Sequence, residues 1–262
     1  MGFTYVMSDL HGMYEEYLQM LEKIEFQEQD TLYILGDIID RGKDGLKILM
    51  DIMQRKNVTL LLGNHEQMML DVVTAEDVES EDYELLAFRW SKNGGDVTAH
   101  HFFGGTYYAT QIQMIHYLEN CPLFLYVKVG EKLFYLVHAY PDVEGILDEI
   151  NENIITRNSL SNLSEEKAKK LENTILWKRP QVQEEFPEFP HIIFGHTPTL
   201  WYQNGIPMRI WHGKGITDID CGCSYLANQN EQGTLACLRL DDMKEFYLTE
   251  SNKSSTGGRE KH

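Results

Sequence analysis

Residues 32–41, Leu32-Tyr33-Ile34-Leu35-Gly36-Asp37-Ile38-Ile39-Asp40-Arg41, change character within a single position. The first part is an apolar run short enough for a buried strand. Directly beyond Gly36 come two carboxylates, Asp37 and Asp40, and one guanidinium, Arg41. The segment reads as a strand delivering charge into a site. Gly36 carries no side chain where the chain leaves the sheet, so neighbouring backbone can approach closely there. Taken alone, the segment serves equally well as a charged surface turn, and the rest of the chain has to decide.

The same layout recurs on both sides. Phe3–Met7 is a short β-like run followed by Ser8-Asp9-Leu10-His11-Gly12, and Val58–Leu62 is followed by Gly63-Asn64-His65-Glu66. Between these runs, Tyr14, Tyr17, Leu18, Leu21 and Ile24 fall on one helical face, as do Leu46, Ile48, Leu49, Ile52 and Met53. Strand, charged loop and helix repeat three times, which predicts an α/β fold with functional groups at the carboxyl ends of the strands. The stretch from Glu84 to Asn120 has a mostly helical pattern broken by a turn at Asn93-Gly94-Gly95. Leu123–Val129 and Lys132–Val137 flank Gly130-Glu131 as a hairpin whose second strand ends at His138. A charged helix over about Ser164–Asn173 leads to Trp177-Lys178-Arg179, and a strand at Ile192–Phe194 ends at Gly195-His196-Thr197-Pro198. Ile216–Ile219, Leu235–Leu240 and Phe246–Leu248 read as closing strands.

With 262 residues, 42% of them hydrophobic, the chain can bury a large core. No linker or repeat divides it, so one domain is expected over residues 1–250, followed by a polar tail from Ser251 to His262. A formal charge of -18 argues against a surface for nucleic-acid backbone, which draws on clustered Lys and Arg. Part of the acidity is concentrated in Ala75–Glu84, which reads as a solvated loop. No run reaches membrane-spanning length and the N-terminal residues lack a signal-peptide layout, so a cytoplasmic protein is expected. Cys121, Cys221, Cys223 and Cys237 are too few for a disulfide framework in a chain this long and are expected as buried thiols.

Five strand ends thus present Asp9 with His11, Asp37 with Asp40, Asn64 with His65, then His138, then His196. Any one histidine is more often a hydrogen-bonded residue at a core edge. Repetition at five strand ends makes that explanation poor. Carboxylate, amide oxygen and imidazole together suit borderline to hard divalent metals. The ligands outnumber the four of a structural zinc site, so two ions sharing a bridging carboxylate roughly 4 Å apart are expected.

These motifs, Asp9-x-His11, Gly36-Asp37-x-x-Asp40-Arg41-Gly42, Gly63-Asn64-His65-Glu66, His138 and Gly195-His196-Thr197-Pro198, occur in order over nearly the whole chain. Together they resemble the calcineurin-like metallophosphoesterases, specifically the bacterial serine/threonine phosphoprotein phosphatase branch. The resemblance implies a four-layer αββα sandwich. It implies that Asp9 and His11 hold one divalent ion, that Asn64, His138 and His196 hold a second, and that Asp37 bridges them, with Mn2+ most expected and Fe or Zn suited to the same ligands. By the same resemblance His65 is the general acid, Asp40 orients it, Arg41 clamps phosphate oxygens, and Arg179 is a second phosphate-binding arginine.

The implied activity is phosphomonoester hydrolysis by a metal-activated water, with a phosphoprotein or a small phosphorylated molecule as substrate. The alternative is a dinucleoside polyphosphate (Ap4A-type) hydrolase. Such relatives usually lack an aspartate at the position of Asp40 and read GNHD where this chain has GNHE, which favours the phosphoprotein branch. A metal-holding scaffold without catalysis is the remote alternative, disfavoured because His65, Asp40 and Arg41 serve chemistry rather than ligation. Trp90–Thr98 resembles a segment bordering the pocket of bacterial members. The chain departs from the pattern twice, with Tyr140 where the resemblance leads one to expect glycine and with Ser224–Gly233 in place of a short Gly-Gly turn. Both are expected to narrow or reshape the pocket.

Overall fold

The computed structural model describes residues 2–150, 152–187, 190–205, 207–228 and 232–248. The tail expected over 251–262 lies outside them, as do residues 229–231 of the second departure.

The chain begins with β1 (Thr4–Met7), α1 (Tyr14–Lys23), β2 (Thr31–Ile34), α2 (Gly45–Gln54) and β3 (Val58–Leu60). These are parallel strands joined by helices, as the repeated pattern predicts. In α1 the apolar residues Tyr17, Met20 and Leu21 are buried, and Glu15 and Glu16 in the first turn complement the helix dipole. The Gly63–Glu66 segment is not a loop but the opening of α3 (Asn64–Val73), because Glu66 reaches back to accept the Gly63 N–H at 3.1 Å and caps the helix there. The helical middle consists of α4 (Glu81–Lys92), α5 (Asp96–Gly105) and α6 (Tyr108–Glu119), with the turn at Asn93–Gly95 separating the first two. Ser80 accepts the Tyr83 N–H at 3.1 Å, so α4 starts inside the stretch read as acidic loop.

The hairpin β4 (Phe124–Val129) and β5 (Lys132–Val137) has the expected register around Gly130-Glu131. The charged helix α7 (Glu165–Trp177) runs one turn past its expected end, because Ile175 and Leu176 are themselves buried. Then come β6 (His191–Phe194), the two-residue β7 (Trp211–His212), β8 (Ile216–Asp218), β9 (Ala236–Arg239) and β10 (Lys244–Tyr247).

Two five-stranded sheets result, in the orders β10-β9-β1-β2-β3 and β4-β5-β6-β8-β7. Strand alternation sorts their side chains. Val6, Leu35, Leu61 and Leu238 of the first sheet pack with Phe134, Leu136 and Ile193 of the second. Tyr5 and Met7, and likewise Tyr135, Val137, Ile192 and Phe194, join a cluster with Tyr17, Leu49, Met69 and Ile175 from the helices. One face of each sheet therefore meets the other sheet and the opposite face meets helices, the αββα arrangement. No helix among the described residues is long and apolar enough to cross a membrane.

Candidate active site

All the expected strand-end residues converge at one end of the two sheets. Gly36 is what lets two of the loops touch: its φ is 94°, and a Cβ there would lie 2.5 Å from the Gly63 Cα. Asp9, His11, Asp37, Asp40, Arg41 and His196 also have left-handed φ values, between 42° and 68°, although none is glycine. Such backbone persists only where surrounding structure holds it, and it gathers here.

Asp37 is central. Its Oδ2 lies 3.8 Å from Nε2 of both His11 and His65, and its Oδ1 lies 3.5 Å from His138 Nε2. Asp9 Oδ1 is 3.9 Å from His11 Nε2. Asn64 Oδ1 is 2.9 Å from both His138 Nε2 and His196 Nδ1. Two sets of three imidazole and carboxylate side chains, His11-Asp37-His65 and Asp37-His138-His196, each bring their donor atoms within 4.8 Å of one another, with Asp37 common to both.

Backbone carbonyls distinguish the histidines. A carbonyl only accepts, so the ring nitrogen facing it carries the proton and the other offers a lone pair. His11 Nδ1 donates to Ile39 O at 3.0 Å, His138 Nδ1 to Leu35 O at 2.6 Å, and His196 Nε2 to Trp177 O at 3.2 Å. All three therefore turn a lone pair toward the carboxylate cluster. Burial holds His11 and His196 well below the ordinary histidine range, with Arg41 adding to the effect on His11 and His138 to that on His196. Burial and the charge of Asp37 push Asp9 up to about 6. Neutral imidazoles around crowded, buried carboxylates are a donor set that divalent cations fit.

His65 is different. Its Nδ1 donates to the Asp40 carboxylate at 2.7 Å, not to a carbonyl. Burial pulls its pKa down, but the charges of Asp37 and Asp40 outweigh that and leave it above the ordinary range. Asp40 is fully buried, accepts the Trp90 Nε1–H at 2.9 Å, and donates its own backbone N–H to Thr98 Oγ1 at 3.0 Å. Arg41 donates from Nη1 to His11 Nε2 at 2.7 Å and from Nη2 to His65 Nε2 at 3.1 Å. Both imidazoles are thereby covered, and an anion that draws Arg41 away would release them. The Arg41 backbone N–H reaches Gly94 O at 3.0 Å, so the Trp90–Thr98 segment backs the Asp40-Arg41 loop at three points.

Arg41 and Arg179 both line a cavity of about 420 Å³ together with His196, Trp201, Ser224 and Tyr225. Of the two departures, the start of Ser224–Gly233 does border the cavity. Tyr140 does not line it, contrary to expectation: its ring turns into the segment that follows α7. Two residues escaped the sequence reading. Glu66 is completely buried and accepts the backbone N–H groups of Asp37, Ile38 and Ile39 at 2.8, 2.9 and 3.3 Å; burial and Asp37 push it up to about 7. Asp220, buried and lining the same cavity as Arg41, is pushed well above the carboxylate range by burial and by Asp9. The first carries a capping-box signal, and the second follows a strand end just as Asp37 does. Cys121, Cys221, Cys223 and Cys237 are buried free thiols.

Residues 4–205 match the model of the family described as calcineurin-like phosphoesterase. The chain belongs to that family. The family is one of metallophosphoesterases with a dinuclear metal centre, for which the His/Asp cluster of this chain supplies candidate ligands. Symmetrical bis(5'-nucleosyl)-tetraphosphatases are similar to it at two scales. That of Buchnera aphidicola is 40% identical over 83 residues, 30% of this chain and only 30% of the relative's own length. That of Escherichia coli O1:K1 is 25% identical over 95% of each chain. Serine/threonine-protein phosphatase 1 of Salmonella typhimurium is 31% identical over 53% of this chain and 59% of its own. Among solved structures, a cold-active protein-tyrosine phosphatase of Shewanella has the same fold, with TM-score 0.56 at 21% identity over 95% of this chain and 81% of that one.

Proposed function

We propose that this metallophosphoesterase is a serine/threonine phosphoprotein phosphatase, acting in the cytoplasm through a single catalytic domain over residues 1–250. Asp9 and His11 would hold one divalent ion, Asn64, His138 and His196 a second, and Asp37 would bridge, with Mn2+ first and Fe or Zn also suited. When bound, such ions neutralise phosphate charge and lower the pKa of water. Arg41 and Arg179 face the same cavity and would bind the phosphate oxygens, Arg41 as a planar fork. Once Arg41 turns from His65 Nε2 to the phosphate, that nitrogen would be free to take up a proton and pass it to the departing oxygen, while Asp40 fixes the ring through Nδ1.

The observation that carries this reading is the His65–Asp40 pair, 2.7 Å apart and buried, with Trp90 fixing the carboxylate from the other side. A serine alkoxide is a poor leaving group that needs a positioned acid. A nucleotide phosphate leaves readily without one. The second reading, a dinucleoside tetraphosphate hydrolase, is favoured by the match that covers 95% of this chain. Turnover of a phosphoserine peptide and a symmetrical dinucleoside tetraphosphate by the Mn2+-loaded enzyme separates them. The phosphatase reading expects kcat/KM for the peptide to be higher by roughly tenfold or more, about 1.4 kcal/mol of transition-state stabilisation; the reverse order selects the second.

A further inference from the structure

We propose that Tyr140 is a positioning residue for Arg179, holding in place the segment that carries this phosphate-binding side chain; the inference rests on the role proposed above for Arg179. Tyr140 lies two residues beyond His138 and is 4% exposed. Its side chain meets the following segment at three points. Lys178 Nζ sits 3.6 Å above the ring centre, the Phe186 ring packs edge-on at 5.8 Å, and the phenol O–H donates to Glu184 Oε1 at 3.2 Å. The other oxygen of Glu184 accepts the Gln181 N–H at 2.7 Å, which folds residues 181–184 back on themselves. One ring therefore pins a strap from Lys178 to Phe186.

Arg179 has no such anchor of its own. Among the described residues its guanidinium has no hydrogen-bond or ion-pair partner and only rests 5.1 Å from the Trp201 ring centre. Its position is set by its backbone, which leaves the end of α7 where Lys178 N–H reaches Asn173 O at 3.0 Å. On the other side of Arg179, Pro180 O accepts the Tyr202 O–H at 3.1 Å. Tyr140 is the side chain that connects this strap to the loop bearing His138, whose next residue, Ala139, donates its N–H to Ile175 O of α7 at 3.0 Å. A cation held on an aromatic face and a partly buried phenol–carboxylate bond fix the strap before substrate arrives, so less freedom is lost when phosphate binds.

The test is a double-mutant cycle read by calorimetric titration of inorganic phosphate into the metal-loaded enzyme, with KM and kcat for a phosphopeptide alongside. Tyr140→Ala is expected to weaken phosphate binding and raise KM roughly 3–10-fold while leaving kcat within about twofold. Added to Arg179→Ala it should produce almost no further loss, whereas added to Arg41→Ala its effect should multiply in full. Tyr140→Phe keeps the ring contacts with Lys178 and Phe186 and loses only the Glu184 bond, so it should fall between; if Tyr140→Ala does not fold, the cycle is run with it. Losses from Tyr140 and Arg179 that multiply would overturn the inference while leaving the role of Arg179 intact. An Arg179→Ala enzyme with unchanged phosphate affinity would overturn both.

Discussion

The two sheets contribute to the site in different ways. The first delivers Asp9, His11, Asp37, Asp40, Arg41, Asn64 and His65 from consecutive strand–helix units, and backbone interlocks their loops. His11 N–H reaches Asp37 O at 2.9 Å, Gly12 N–H reaches Ile38 O at 2.8 Å, and Gly42 N–H reaches His11 O at 3.0 Å. The second sheet delivers His138 and His196 from neighbouring parallel strands whose connection holds α7 and long stretches of coil. These two residues find their places by docking onto the first sheet: His138 Nδ1 on Leu35 O at 2.6 Å, and His196 N–H on Asp9 Oδ2 at 2.9 Å. Five of the six site residues with left-handed φ also belong to the first sheet. One half is a rigid template and the other is a clamp registered on it. It is in the clamp that the chain carries its own device, Tyr140.

Asp37 touches both halves, so its loss should be the largest effect. Asp37→Asn is expected to lose at least one metal and nearly all turnover, since a neutral amide bridges two dications poorly; full metal content by elemental analysis together with full activity would leave the two halves sharing no bridge. Next comes the template's own chemistry. His65→Asn should keep both metals and lower kcat for phosphoserine roughly 10²–10⁴-fold, with a smaller loss on p-nitrophenyl phosphate, whose leaving group needs no proton. Equal losses on the two substrates would remove His65 from the proton-donor role.

Rigidity of the template predicts a smaller effect, on stability. Glu66→Gln replaces one of two accepting oxygens with a donor beside the N–H groups of Asp37 and Ile38, and should destabilise by about 1–3 kcal/mol in chemical denaturation. An unchanged midpoint would mean that backbone bonds alone hold the loops. The smallest effect lies far from the site, at the turn between β9 and β10. Hydrogen bonds from Arg239 hold the Asp242 carboxyl down at about 2. A depressed carboxyl stabilises the fold at pH above its unfolded value of about 3.9, and that contribution fades as pH falls toward about 2. Half exposed, the pair is worth little, so Asp242→Asn should show a slight deficit near neutrality that closes on acidification; a deficit unchanged by acid would exclude the ion pair as its source.

The template was the legible half. Short apolar runs leading into Asp9, Asp37 and Asn64, separated by helical faces, carry both the fold and the placement of these residues in local sequence. His138 and His196 were legible as residue types at strand ends, yet their partnership with Asn64 is a long-range event that no local pattern encodes. The left-handed backbone of Asp9 and His11 was invisible, because aspartate and histidine do not announce positive φ as glycine does. Glu66 was passed over as a loop residue, since its four N–H partners are assembled only when the loops after β2 and β3 meet. Tyr140 was expected to narrow or reshape the pocket but does not line the cavity, because sequence shows which residue follows Ala139 and not which side of the strand end its ring takes.

β1 lies between β2 and β9, and pairs Tyr5 with Arg239 and Val6 with Leu238. During synthesis one edge of β1 is therefore satisfied early and the other waits for almost the entire chain, on the order of 10–50 seconds at ordinary elongation rates. Through that interval the nascent protein carries an open strand edge next to a half-covered apolar face, the kind of surface on which ribosome-associated chaperones act and from which mispairing between neighbouring chains begins.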